Sequence, residues 1–172
     1  IMVNINPAYR TSELIYVINQ SGISFIFAAP EFKSSNYKKM IDDAREFTET
    51  LRKEVYWGDS WERFLENGKK VTDEKLLSFE EKVQFDDPVN IQYTSGTTGN
   101  PKGVTLSHHN ILNNAYFIGI RMNYTEKDRV CIPVPFYHCF GMVIGNLACT
   151  VHGATMVIPN DSFDATKTLE AV

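Results

Sequence analysis

Apolar and polar residues along the chain repeat with two periods, one typical of helices and one typical of strands. Apolar positions three and four residues apart predict helices from about residue 12 to Gly22, over 35–51, around 61–65, over 107–122 and from Asp164 onward. Continuous or alternating apolar runs predict strands over 23–28, 54–57, 89–93, 104–107, 130–135 and 154–158. This alternation predicts an α/β fold with a layered sheet, mostly parallel strands and flanking helices.

The order of these elements also predicts where the core and the surface lie. Residues 142–152 are apolar nearly all round, which indicates a buried helix that ends at Gly153. Together with the strands on either side, this helix predicts a right-handed βαβ crossover. Residues 67–88 are polar with mixed charges and predict a surface connection, whereas Trp61 and Phe64 before them are predicted to lie in the core.

One stretch between two predicted strands carries the residues of a phosphate-binding loop. It reads Tyr93-Thr94-Ser95-Gly96-Thr97-Thr98-Gly99-Asn100-Pro101-Lys102-Gly103. Glycines accept a positive φ and let an anion approach the backbone, which we expect at Gly96, Gly99 and Gly103. Hydroxyl groups add hydrogen-bond donors, and Lys102 adds a positive charge. The stretch therefore predicts a strand-to-strand loop that binds phosphate.

A P-loop nucleotide-binding module is the main alternative to this interpretation. That signature requires glycine directly before its lysine, Ser or Thr directly after it, and then a helix. Here Pro101 precedes Lys102 and Gly103 follows, and a predicted strand continues the chain. A domain that only binds or supports other molecules, without catalysis, is a further alternative.

The segment from Tyr93 to Val104 resembles the phosphate-loop motif of the adenylate-forming superfamily. This superfamily includes acyl-CoA synthetases, beetle luciferases and the adenylation domains of peptide synthetases. The resemblance implies that the chain is part of the α/β N-terminal domain of such an enzyme. It also implies that the loop binds the β- and γ-phosphates of ATP through these residues: Thr94, Ser95, Gly96, Thr97, Thr98, Gly99 and Lys102.

A second segment, Pro135 to Met142, resembles the Pro-x-x-His-x-x-Gly signature of the same superfamily. The resemblance implies that His138 borders the acyl-adenylate and acts in catalysis together with Lys102. An imidazole can donate to a carboxylate or phosphate oxygen and can titrate near neutral pH. A purely structural histidine is the competing interpretation. Relatives that activate amino acids usually carry Phe-Asp where this chain has Tyr137-His138, so a carboxylic acid without an amine is favoured.

The resemblance implies a parent enzyme similar to medium- or long-chain fatty-acyl-CoA ligases, with luciferase-like or aryl-acid enzymes as the alternative. Such an enzyme uses ATP, Mg²⁺ and CoA and joins a fatty or other carboxylic acid to CoA through an acyl-adenylate. Later motifs of the superfamily, for adenine, ribose and the catalytic lysine of the C-terminal lobe, are absent from residues 1–172. We therefore expect a partial N-terminal AMP-binding domain that is inactive by itself.

Composition argues against several other classes of function. The net charge of −4 and the mixed acids and bases argue against nucleic-acid binding. Three cysteines without a Cys-x-x-Cys pair argue against a zinc site and against a disulfide framework, and are expected to be reduced core thiols. His108 and His109 are expected to face solvent, and no metal ligands are predicted. No apolar run reaches transmembrane length. Reduced thiols indicate an intracellular protein, so a cytoplasmic location is expected, or a mitochondrial one in a eukaryote. Acyl length and oligomeric state stay open.

Overall fold

The computed structural model of the chain describes residues 1–58, 60–94 and 99–172 and has the predicted α/β architecture. Its elements, in chain order, are β1 (Met2–Asn4), α1 (Thr11–Ser21), β2 (Phe25–Ala28), β3 (Glu31–Phe32), β4 (Ser35–Asn36), α2 (Tyr37–Arg45), β5 (Lys53–Tyr56), α3 (Trp61–Gly68), α4 (Asp73–Glu80), β6 (Pro88–Thr94), β7 (Lys102–Ser107), α5 (His108–Arg121), β8 (Arg129–Cys131), the π-helix π1 (Phe140–Leu147), α6 (Ala148–His152), β9 (Thr155–Val157) and α7 (Ala165–Glu170).

The chain divides into two compact units. The first unit contains Ile1–Asn6, Phe85–Tyr93 and Val104–Val172, and the second contains Pro7–Gln84 and Thr94–Gly103. The described strands form four small sheets, and the pairs β1–β6, β2–β5 and β8–β9 are parallel. Short strands of two to seven residues limit how far any one sheet extends.

The first unit is built on a three-stranded sheet and on a two-stranded sheet. The three-stranded sheet has the order β1-β6-β7, and β1 runs parallel to β6. Strands β8 and β9 are also parallel, with π1 and α6 between them in the chain, as the predicted crossover requires. The buried core of α5, π1 and α6 consists of Ile111, Ala115, Met142, Val143 and Ala148.

The second unit pairs β2 with β5 in parallel and packs α1 against α2. Gly22 closes α1 in the left-handed conformation, with φ of +67°, as its position after the helical pattern predicts. In α1, Leu14 and Ile18 are buried as predicted, whereas Val17 is buried in place of Ile15. The other buried apolar residues of these helices and strands are Ile26, Ile41, Ala44 and Val55.

One prediction for the second unit is wrong, and one of its helices was not predicted. Residues 67–88 are exposed, as expected, but they contain the helix α4. The Thr72 side chain accepts a hydrogen bond from the Lys75 amide at 3.3 Å and so caps this helix. All eight residues of α3, which the structure describes in full, are at least partly exposed, so Trp61 and Phe64 are not core. Trp61 stacks instead on Trp57, with ring centroids 4.4 Å apart.

Several boundaries also differ from the sequence pattern. The helix predicted over 35–51 is the shorter α2, and Phe47 beyond its end is 63% exposed. The strand predicted over 130–135 ends at Cys131, because Pro133 and Pro135 offer no amide hydrogen to a ladder. The buried helix begins two residues before the predicted position, at Phe140, and its first eight residues are a π-helix.

Candidate active site

The predicted phosphate-binding loop connects two neighbouring strands of one sheet. Strand β6 ends at the exposed Thr94, and β7 begins at the exposed Lys102. The strand-to-strand connection predicted from the alternating pattern is therefore confirmed. Ser95, Gly96, Thr97 and Thr98, which were predicted to bind ATP phosphates, lie outside the described residues.

Gly99 has a positive φ, as the motif predicts. Its φ is +95°, a backbone conformation that residues with a Cβ rarely adopt. No heavy atom of the described residues beyond its chain neighbours lies within 4 Å of where a Cβ would stand, so conformation alone requires glycine here. Gly103 lies within β7, where the backbone is extended, and the prediction of a positive φ for it is wrong.

Lys102 supplies a positive charge at the end of this loop. Its side chain is exposed, and within the described part of the chain it has no ion-pair partner. A lysine held by a protein carboxylate would be partly neutralised, whereas this ammonium group keeps its three donors for another anion. Position and exposure therefore suit Lys102 to contact a phosphate oxygen.

His138 lies in the first unit, at the entrance to π1. Its Nδ1 accepts a hydrogen bond from the Phe140 amide at 3.1 Å, and its carbonyl oxygen accepts from the Met142 amide at 3.0 Å. Because Nδ1 acts as an acceptor, the neutral ring carries its proton on Nε2. The imidazole is exposed. His138 can therefore donate from Nε2 to an anionic or carbonyl oxygen.

The glycine of the same segment is required by a close backbone approach. A Cβ on Gly141 would lie 2.4 Å from the carbonyl oxygen of Pro135 and 2.9 Å from that of Val134. Both distances are far below normal contact, and the opposing atoms belong to the backbone. The segment Pro135 to Gly141 is thus a tight loop whose two ends touch, with His138 between them.

Sequence reasoning missed a chain of buried amides next to this loop. The strand that precedes the phosphate-binding loop was predicted to bury its apolar face, but Asn90 and Gln92 are its most buried residues, 0% and 4% exposed. The Asn90 Nδ2 donates to the Asn4 Oδ1 at 3.2 Å, and the Asn4 Nδ2 donates to the Phe136 carbonyl oxygen at 3.4 Å. The available signal was two amides at alternate positions of an apolar strand.

The other candidate ligands do not form a metal site. His108 is half-buried and His109 is exposed, with the His109 ring 5.7 Å from the ring of Phe85. Among the described residues, no three His, Cys, Asp or Glu side chains lie together as metal ligands would. Cys149 is fully buried and Cys139 partly so, both as free thiols, and burial raises the pKa of each.

Comparison with known proteins places the chain among the adenylate-forming enzymes. The AMP-binding enzyme family matches residues 1–172. The chain is 35% identical to the mitochondrial medium-chain acyl-CoA ligase ACSF2 of Danio rerio and 34% identical to the acyl-CoA ligase sidI of Aspergillus fumigatus. Both alignments cover 100% of the chain, and the chain spans 32% and 31% of these relatives.

Solved structures agree with this placement. The inhibitor-bound N-terminal domain of FACL13 from Mycobacterium tuberculosis is 26% identical with a TM-score of 0.71, and the match covers 98% of the chain and 40% of that structure. A fatty acyl-CoA synthetase from the same organism is 24% identical with a TM-score of 0.74, over 98% of the chain and 31% of that structure, which supports the fold. The P-loop alternative receives no support from these matches.

Among the described residues, no helix is both long enough and apolar enough to cross a membrane.

Proposed function

Because the chain belongs to the AMP-binding enzyme family, we propose that its parent protein is an ATP-dependent ligase that joins a fatty acid to CoA. The chain is then a partial N-terminal domain, since it spans about a third of the curated relatives it matches. In this proposal, residues 1–172 bind the phosphates of ATP and border the acyl group, and they do not turn over by themselves.

The observation that carries this proposal is the geometry at the end of the phosphate-binding loop. Gly99 takes a positive φ, and three residues later Lys102 stands exposed at the first position of β7. A positive φ at glycine lets an anion approach the backbone closely, and the lysine adds a charge that no described carboxylate neutralises. The triphosphate of ATP is an anion that such a charge attracts.

The proposed reaction has two steps in which every group is accounted for. A carboxylate oxygen of the acid attacks the α-phosphorus of ATP, and the bond to the bridging oxygen breaks, which releases pyrophosphate. The sulfur of CoA then attacks the acyl carbon, a thioester forms, and AMP leaves while the thiol proton passes to solvent or a base. Charge builds up on the departing pyrophosphate in the first step, and a fixed cation such as Lys102 stabilises it.

His138 has the proposed role of a hydrogen-bond donor to the acid or to the acyl-adenylate. Its Nδ1 is occupied by the Phe140 amide, so Nε2–H is the group it presents. A donor held in this tautomer stabilises negative charge on an oxygen by a hydrogen bond, without transferring its proton. A purely structural His138 would make the same hydrogen bond with the Phe140 amide. The activity of a His138 variant distinguishes this structural role from the proposed catalytic one.

Mg²⁺ accompanies ATP in many phosphoryl-transfer sites, where it neutralises phosphate charge. The described residues do not provide a cluster of carboxylates that fits this ion. We therefore derive no step of the reaction through it, and we assign no residue of this chain as its ligand.

The proposed acid is a medium- or long-chain fatty acid. Support comes from the names of relatives, which include medium-chain acyl-CoA ligases, and from Tyr137-His138, which offers no fixed negative charge to an amine. An aromatic acid is the alternative, as in luciferase-like enzymes. A cytoplasmic or mitochondrial location is proposed on the same relatives, whose ACSF2 members are named mitochondrial.

The test is acid-dependent exchange of pyrophosphate into ATP by the full-length parent enzyme, with short, medium and long fatty acids and an aromatic acid. We expect exchange that requires a fatty acid, and thioester formation when CoA is added. Exchange with an aromatic acid alone would favour the alternative substrate, and no exchange despite ATP binding would refute adenylation. The 172-residue chain is assayed in parallel and is expected to be inactive.

A further inference from the structure

The first unit contains a continuous path of side-chain amides from strand β6 to the loop that carries His138. The Asn90 Nδ2 donates to the Met2 carbonyl oxygen at 3.0 Å and to the Asn4 Oδ1 at 3.2 Å. The Asn4 Nδ2 donates in turn to the Phe136 carbonyl oxygen and to the Met142 sulfur, both at 3.4 Å. Carbonyl oxygens only accept, so the carbonyls at the two ends fix the orientation of both amides.

A third amide, that of Gln92, contacts the same methionine from two residues after Asn90 on β6. The Gln92 Nε2 lies 3.5 Å from the Met142 sulfur. Asn90 is 0% and Gln92 is 4% exposed. Burying such groups is unfavourable unless they are hydrogen-bonded, and the thioether is a weak acceptor. An apolar pair at these two positions would fill the same space without that cost.

One polar atom of these amides has no hydrogen-bond partner among the described residues. The Asn90 Oδ1 is buried and accepts no hydrogen bond from them. The orientation that would expose this oxygen to Asn4 or to Met2 would bring two acceptors together. Asn90 therefore acts as a hydrogen-bond donor, and its acceptor oxygen stays unpaired. An unpaired buried acceptor is unfavourable, which points to a role for the two hydrogen bonds that Asn90 donates.

The two contacts made by Asn4 lie on either side of His138. Phe136 precedes it by two residues, and Met142 follows it by four and donates its own amide to the His138 carbonyl oxygen at 3.0 Å. We infer that Asn4, oriented by Asn90 and assisted by Gln92 at the Met142 sulfur, is a positioning residue that fixes the loop carrying the His138 imidazole. This inference rests on the proposed function, because positioning His138 matters only if His138 contacts the substrate.

The test is a double-mutant cycle in the full-length parent enzyme, with Asn4→Leu, His138→Ala and both together. Asn4→Leu keeps a side chain of similar size and removes both donors. We expect it to lower kcat of adenylation about tenfold, as misplacement of a reacting group does, with little change in KM for ATP. In the His138→Ala background, Asn4→Leu should change kcat by less than about twofold, because the group that it positions is gone.

A second pair of variants guards against a folding defect in Asn4→Leu. Met142→Leu conserves volume and removes the sulfur that accepts from the Asn4 and Gln92 side-chain amides. Leu147→Met is its matched control, since Leu147 lies in the same π-helix and packs on the same core. We expect Met142→Leu to lower kcat and to lose this effect in the His138→Ala background, and we expect Leu147→Met to retain kcat.

The outcomes separate this inference from the proposed function. If Asn4→Leu and Met142→Leu lower kcat by the same factor with and without His138, these side chains have only a structural role, and the inference is overturned. A His138→Ala enzyme with unchanged kcat would overturn both the role of His138 and the positioning of it. Acid-dependent exchange by the unmodified enzyme tests the ligase proposal independently of either result.

Discussion

Replacing Gly141 by alanine tests the tight loop around His138 most directly. The new Cβ would stand 2.4 Å from the Pro135 carbonyl oxygen, 2.7 Å from its carbonyl carbon and 2.9 Å from the Val134 carbonyl oxygen. Contacts of a Cβ below 3.0 Å essentially do not occur, so the first of these must open by at least 0.6 Å, from 2.4 Å to 3.0 Å. No flexible side chain can absorb this change, because all three atoms are backbone.

The size of the expected effect follows from this displacement. Overpacking of a well-packed region costs about 1–3 kcal/mol. With a urea slope of about 2 kcal/mol/M, a loss of about 2 kcal/mol lowers the unfolding midpoint by about 1 M. If His138 contacts the substrate as we propose, a shift of this size in its loop is expected to lower kcat of adenylation on the order of tenfold to hundredfold. Stability and activity should therefore both fall.

Gly68→Ala is the matched control for this substitution. Gly68 ends α3, its φ is not positive, and no heavy atom of the described residues beyond its chain neighbours and its own helix backbone lies within 4 Å of a Cβ placed there. We expect a change in unfolding free energy within about 0.5 kcal/mol and an unchanged rate. Urea unfolding and pyrophosphate exchange of the full-length enzyme measure both quantities. A Gly141→Ala enzyme that matches Gly68→Ala in both would refute the close approach of the two backbone segments.

Three further substitutions test other parts of the molecule. Lys102→Ala should slow pyrophosphate exchange and raise KM for ATP while changing stability by less than about 0.5 kcal/mol, and Lys69→Ala, an exposed lysine in α3's C-cap, should change neither. Ser107→Ala should lower the unfolding free energy by about 1 kcal/mol in urea titrations, because Ser107 caps α5. Hydrogen bonds from the Thr125 side chain and amide hold the pKa of Asp128 below its ordinary value. The stability that these bonds provide is therefore fully present above the pKa that Asp128 has in the unfolded chain. It is lost as the pH falls through the lower pKa that Asp128 has in the folded protein. The difference in urea midpoint between the unmodified enzyme and Asp128→Asn should accordingly disappear on acidification, and a constant difference would contradict this.

The sequence by itself determined the features that depend on neighbouring residues. The helix starts at Ser107 and Asp164 follow from local capping, and the ends at Gly22 and Gly153 follow from the left-handed conformation that glycine accepts. The motif of the loop that we propose binds phosphate could be recognised because its glycines, hydroxyls and lysine are contiguous. The family that this motif indicates is confirmed by a match over residues 1–172.

The tertiary structure decided the features that depend on residues far apart in the chain. Asn90 and Asn4 are 86 positions apart, and Gln92 and Met142 are 50 apart, so no local period could show that these side chains contact one another. The exposure of Trp61 likewise depends on what packs over α3, which its helical spacing does not encode. Local conformational preference therefore specified the loop and the helix ends, whereas long-range packing specified which polar groups surround the His138 loop.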